Sequence, residues 1–200
     1  AFVETIAKLA LEHGVEMEAL KSADYPGTGR TVADELTQLI ATIGENMELR
    51  RSSHVQVSPG YVGSYVHSAV KPGILGKIGV LIALEGDAPE DVMEGLAKHL
   101  AMHVAATNPA SLDVADLDPA IIEREKQLQR DKAADSGKPA EIIEKMIEGR
   151  MRKFYEEVCL MKQVSVVDGE SRIENLIADT AKKAGAEIKL SAYTRYELGE

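Results

Sequence analysis

Cysteine is nearly absent from this chain: of 200 residues only Cys159 carries a thiol. No intrachain disulfide can form, and a reducing compartment is the natural setting. Aromatic residues are scarce too, at 4%. Long apolar runs are missing, since no stretch approaches the roughly 20 residues that a membrane-crossing helix needs. The opening AFVETIAKLALEHG also lacks the charged, apolar and small-residue parts of a secretory signal. A cytoplasmic protein without membrane contact is expected. Cations are outnumbered, 23 Lys and Arg against 33 Asp and Glu, for a formal net charge of -10. Such a surface is poorly suited to displacing counterions from a phosphate backbone, so direct nucleic-acid binding is not expected and a protein partner is.

What is present suits a soluble globular chain of one or two compact units, 44% hydrophobic and 28% charged. Ile6, Leu9 and Ala10 stand at helical spacing before Gly14, which predicts a short first helix. After the loop from Tyr25 to Gly29, Thr31 and Asp34 form a capping pair. Leu36, Leu39, Ile40 and Ile43 then make one apolar face ending at Gly44. Met47, Leu49, Val55 and Val57 alternate with polar residues, Tyr61 to His67 is rich in β-formers, and Ile78 to Leu84 is a continuous apolar run. Three antiparallel strands are expected from these segments.

The stretch from Ile78 to Pro109 is the most informative, because it joins a buried strand to a helix carrying two histidines among apolar residues. Asp87, with Pro89 and Glu90 behind it, is expected to cap that helix, and Asn108-Pro109 to end it. Val92, Leu96, His99 and His103 follow a helical stripe, so the imidazoles continue the covered face at its edge. Farther on, Asp118 before Pro119, and Gly137 before Pro139, punctuate two helices that form a hairpin. Leu117, Ile121 and Leu128 supply a thin seam on its first arm. Ile143, Ile147, Met151, Phe154 and Val158 supply a stronger one on the second. Arms of about 20 residues would project roughly 30 Å, which suits a docking element better than a catalytic one. A capping-box match at Ser171 to Glu174 opens a last helix, and alternation from Ile188 to Leu198 predicts a final half-buried strand.

The expected fold class is α+β: two small helix-plus-antiparallel-sheet subdomains, with a helical, coiled-coil hairpin inserted in the second. Residues 1–110 form the N-terminal half of the core, 111–162 the hairpin, and 163–200 the remainder of the C-terminal half. Of the chemistry-bearing residues, His99 and His103 have the i, i+4 spacing of a metal pair. No Glu follows the first and no third ligand is evident. A satisfied, partly buried pair is the preferred reading over a metal site. Cys159 reads as a small core hydrophobe beside the hairpin seam. Gly79 either relieves crowding between strand and helix or lets a partner's surface approach the backbone. Neither a Gly-x-Ser-x-Gly elbow nor a phosphate-binding glycine loop occurs. No catalytic residue, metal or cofactor is therefore expected.

Six segments carry a resemblance: IGENMELRR (Ile43 to Arg51), GSYVH (Gly63 to His67), KIGVLIAL (Lys77 to Leu84), HLAMHVAATNP (His99 to Pro109), SGKPAEIIEKMIEGRMRKFYEEVCL (Ser136 to Leu160) and RYELGE (Arg195 to Glu200). In this order they resemble the core strands, histidine helix, hairpin and last strand of bacterial translation elongation factor Ts. The resemblance implies a guanine-nucleotide exchange factor for elongation factor Tu that promotes release of GDP and magnesium and makes or breaks no bond itself. It implies that Ile78, Gly79 and His103, with His99 beside it, meet the GTPase. It also implies that the hairpin meets a second copy or another partner through Phe154 and Tyr155. A homodimer is one such expectation, and a structural, dimerising module without exchange activity is the alternative reading. The family's opening three-helix domain and Thr-Asp-Phe-Val motif have no counterpart in these 200 residues. Ala1 would fall shortly after that motif, as in a factor shortened at its N-terminus.

Overall fold

The computed structural model describes residues 2–71, 74–134 and 139–200. The chain folds as two compact units, residues 1–56 and 57–200.

In the first unit, α1 (Phe2–His13) turns its Ile6, Leu9 and Ala10 inward, as their spacing requires. A short α2 (Met17–Ser22) follows, with the Glu16 carboxylate accepting the amides of Glu18 and Ala19. The Pro-Gly loop is closed by a two-stranded ribbon, β1 (Asp24–Tyr25) and β2 (Arg30–Thr31). Thr31 and Asp34 then form a reciprocal capping box on α3 (Val32–Ile43), and Gly44 ends that helix in the left-handed conformation at φ 79. Leu20 and Val32 are fully buried in this unit's core, with Phe2 stacked on Tyr25 at 5.6 Å between ring centroids.

The second unit is built on an antiparallel sheet of β3 (Gly60–His67), β4 (Ile78–Gly86) and β5 (Ile188–Glu197), in the order β3-β4-β5. The expected strand from Met47 to Val57 is absent, and the third strand comes instead from the C-terminal end of the chain. Alternation marks a stretch that can pair, but the partner edge decides: β4 bonds β3 on one side and β5 on the other. For the same reason residues 1–110 do not stand together as one half of a core. Val57 onward shares a sheet with residues 188–197, while residues up to Gln56 form a unit of their own.

One face of the sheet is covered by α4 (Glu90–Thr107) and α7 (Ile173–Ala184), with Val80, Ile82 and Leu84 meeting Leu96, Leu100, Val104, Ile173 and Ile177 in a single core. Gly63 is needed there, because a Cβ at that position would collide with that of Ala97 on α4. The caps of these two helices differ from expectation. Pro89 and Arg172 occupy the N-cap positions, and neither gives a side-chain bond. Asn108 at φ 45 ends α4 where expected, and Gly185 at φ 65 ends α7 in the same left-handed conformation.

Between these helices runs the hairpin, α5 (Pro119–Ala134) and α6 (Ala140–Val158). Asp118 caps α5 by accepting the Ala120 amide at 2.8 Å. The inferred turn glycine, Gly137, lies outside the described residues. On α6, Ile147 and Met151 are buried as the stripe predicts. On α5 the seam is shifted by one position. Ile121 and Leu128 are exposed, whereas Gln129 and Ala133 are buried, and Arg150 Nη1 donates to Gln129 Oε1 across the hairpin at 2.7 Å. The root is zipped by backbone bonds from Ala110 N to Val158 O at 2.8 Å and from Leu160 N to Ser111 O at 2.9 Å.

Candidate functional site

Ile78 and Gly79 open the central strand. Paired residues of neighbouring strands share a face, and Gly63, opposite Ile82, meets α4. Val80, Ile82 and Leu84 therefore look toward α4, and alternation turns Gly79, Leu81 and Ala83 the other way. Gly79 is exposed, and a Cβ built on it meets nothing within 4 Å. The reading in which this glycine relieves crowding between strand and helix is thus set aside: there is no crowding to relieve. Ile78 is half-buried against the core on the α4 side.

His103 is not an outward contact. It is 0% exposed and bonded through both ring nitrogens, Nε2 with Gln163 Oε1 at 2.8 Å and Nδ1 accepting the Val166 amide at 3.1 Å. Since Nδ1 accepts, Nε2 carries the proton and the ring is the neutral tautomer. Burial pushes the imidazole below its ordinary pKa of 6.5 and nearby His99 adds to this, while the Gln163 bond and Asp168 act the other way. A helical stripe could place His103 at the edge of the covered face, but not reveal that a segment 60 residues later seals it. His99, half-buried, lies 2.6 Å from Ser165 Oγ through Nε2. Ser165 Oγ also accepts the Val167 amide at 3.2 Å. The histidine pair thus grips a loop and has no ring nitrogen of His103 left for a metal. Among the described residues no group of three or more His, Cys, Asp or Glu is placed to hold one.

The gripped segment follows a short 3-10 turn (Leu160–Lys162) and precedes α7. Gln163 and Ser165 were not singled out from sequence, since isolated polar residues in an extended stretch give no periodic signal. Arg195 was missed as well. Its side chain is 7% exposed, ion-paired to Glu197 and Glu200, and its Nε donates to Ala105 O at 3.4 Å. Arg195 pairs in register with Val80, so the last turns of α4 lie at the end of the sheet where β4 begins.

Phe154 and Tyr155 stand in the last turn of α6, their ring centroids 5.9 Å apart, at the root of the hairpin and both half-buried. Tyr155 lines an open pocket of about 330 Å³ together with Val114, Arg152, Glu156, Lys162 and Arg172. Most of its charge is internally matched, Arg172 to Glu156 at 2.7 Å and Lys162 to Glu174 at 2.7 Å. Cys159 is fully buried beside Ser111 Oγ, and desolvation raises its thiol above 9.0. It packs as a core side chain.

Fold and site together define an α+β protein with a three-stranded antiparallel sheet, a histidine-braced loop and a helical hairpin. The sequence profile described as "Elongation factor TS" matches residues 1–200. Curated relatives called elongation factor Ts include those of Gluconobacter oxydans, 56% identical over 200 residues, and Rhodospirillum centenum, 50% identical over 199 residues. In each case the match covers 100% of this chain and 64% of the relative. That of Paramagnetospirillum magneticum is 51% identical over 199 residues, with the same coverage. The chain belongs to the elongation factor Ts family. It spans 64% of the length of these relatives. Among the described residues no helix is long and apolar enough to cross a membrane.

Proposed function

We propose that the protein is a guanine-nucleotide exchange factor that binds elongation factor Tu in the bacterial cytoplasm and promotes release of GDP and magnesium during protein synthesis, without bond chemistry of its own. The observation that carries this reading is Gly79: exposed on the central strand, with open space where a Cβ would stand, in a segment that matches the family. A backbone left bare on a sheet face suits close approach by another protein.

The mechanism is linkage between two ligands of one GTPase. A factor that binds best to the conformation in which nucleotide and metal are loosely held weakens GDP by the same ratio as GDP weakens the factor. GTP then enters the emptied site. Ile78 and Gly79 supply the contact, and no cofactor is required.

A second reading, a structural module that self-associates through the hairpin, draws on Ile121, Leu128 and Ile142, which are 42%, 44% and 43% exposed on its arms. Elongation factor Tu loaded with a fluorescent GDP analogue separates the two. Faster dissociation with rising concentration of this chain supports exchange. Dissociation unaffected at saturation rules out exchange by residues 1–200, and a concentration-dependent change in mass without any Tu complex favours self-association.

A further inference from the structure

In the segment between the 3-10 turn and α7, Gln163 and Ser165 point inward at 5% and 1% exposure, while Val164, Val166 and Val167 stand 46%, 55% and 43% exposed. Hydrogen bonds, more than apolar burial, therefore hold this segment to the core. Gln163 is its firmest point. Its Oε1 accepts from His103 Nε2 and from Thr107 Oγ1 at 3.2 Å, its Nε2 donates to Glu157 O at 2.7 Å, and its carbonyl accepts the Ile173 amide at 3.0 Å. Ser165 is met by His99 at 2.6 Å and donates its amide to Ser171 O at 2.8 Å. Past Ser165 the hold thins. Among the described residues one hydrogen bond ties that stretch to α4, from the Val166 amide to His103 Nδ1 at 3.1 Å. The amides of Val167 and Asp168 turn back on Ser165 Oγ at 3.2 and 3.5 Å, and the Asp168 carboxylate accepts those of Glu170 and Ser171. The bond from Val166 survives only while the ring is neutral, because an imidazolium donates from both nitrogens. A proton on Nδ1 would set two N–H groups against each other and leave the Nε2 bond to Gln163 as it is.

We propose that His103 is a proton-operated latch: one proton taken up at Nδ1 frees the stretch from Val166 to Asp168 from α4 while the sheet, α7 and the Gln163 anchor stay folded. The side chains of Val166 and Val167 are already half in water, so little apolar area resists the release, and the freed Val166 amide turns to solvent. Two titratable groups act on the ring, His99 one turn back on α4 and Asp168 on the segment itself. At their contacts with α4 the other elements are apolar, α7 through Ile173 and Ile177 and the sheet through Val80, Ile82 and Leu84. Arg195 of β5 donates to Ala105 O but is matched by Glu197 and Glu200. Lys162 and Arg172, on either side of the segment, are matched by Glu174 and Glu156. The sign follows from burial, which holds the closed ring below its ordinary 6.5. The open form takes its proton near 6.5 and the closed form only lower, so closure is complete above 6.5 and is lost as pH falls toward the closed-state value. Within that window the opening constant rises by up to about tenfold per pH unit. The latch needs no partner, so it stands or falls independently of exchange activity.

Amide hydrogen exchange of the 15N-labelled chain, followed by NMR from pH 7.5 downward under conditions where reclosing outpaces exchange, tests the latch. Exchange chemistry slows in proportion to hydroxide as the pH falls. At Val166 the growing open fraction should offset that slowing, so its rate stays nearly level below 6.5 until the closed ring itself titrates. Low denaturant should leave this rate almost unchanged, because the opening exposes little surface, whereas the amides of β4 should speed up steeply with denaturant. H103N offers Oδ1 near the Nδ1 position as an acceptor that takes no proton in this range, and its Val166 amide should follow hydroxide. The wild-type profile decides alone if H103N folds poorly. A Val166 rate that follows hydroxide in the wild type overturns the latch. So does a Val166 amide that exchanges only with the denaturant dependence of β4, which would mean that the stretch opens with the whole unit and not by itself.

Discussion

At His103 the two states of one proton have unequal cost. Desolvation disfavours the imidazolium, and protonating Nδ1 would also turn the acceptor of the Val166 amide into a second donor. The linkage has a definite sign. The unfolded chain takes up a proton near 6.5 that the folded protein refuses, so stability is full above that pH and drains as the pH falls toward the lower folded value. The denaturant midpoint of the wild type should therefore drop between about pH 7 and pH 5, and that segment of the curve should vanish in H103N. Asp168 titrates in a separate window. Backbone amides of Glu170 and Ser171 hold its carboxyl down at about 2, so its contribution is lost only as pH falls below 3.8. Two glycines provide a further contrast at this scale. Gly63→Ala meets Ala97 and should destabilise by roughly 1–3 kcal/mol. Gly79→Ala meets nothing within 4 Å, so unfolding should shift by under about 0.5 kcal/mol while affinity for elongation factor Tu falls.

At the scale of elements, local signals and partner-dependent ones part company. The Thr31 and Asp34 capping box is written in four adjacent residues and forms as read. Thr31→Ala should cost about 1 kcal/mol, seen as a lowered thermal midpoint for the first unit. The inward stripe of α1, the end of α3 at Gly44, and β5 were legible for the same reason. The Met47 to Val57 stretch was not, because nothing in its own alternation says that β5 takes the vacant edge of β4. On α5, apolar residue type pointed to Ile121 and Leu128. The buried side is instead marked by Gln129, whose amide meets Arg150 across the hairpin. A paired polar group at a helix seam fixes register at some expense of stability. Gln129→Leu is accordingly expected to hold or raise thermal stability while weakening the unique pairing, visible as broadened amide resonances along α5 and α6. Of the candidate site, the open Gly79 was within reach of sequence reasoning. The orientation of His103 was not, since it depends on Gln163 and Val166 arriving from a distant part of the chain.

For the molecule as a whole, the excess of 33 acidic over 23 basic residues governs what it meets. A chain of net charge -10 should produce no retardation of transfer RNA in a gel shift at physiological salt, where counterion release would have to drive binding. The order of the sheet has a temporal consequence. While a ribosome is still threading out residues 188–197, β4 keeps one margin bare, and Val80, Ile82 and Leu84 can gather only part of their lasting neighbourhood. The strand most involved in the proposed GTPase contact is thereby secured only after residues 188–197 have emerged, well after its own synthesis.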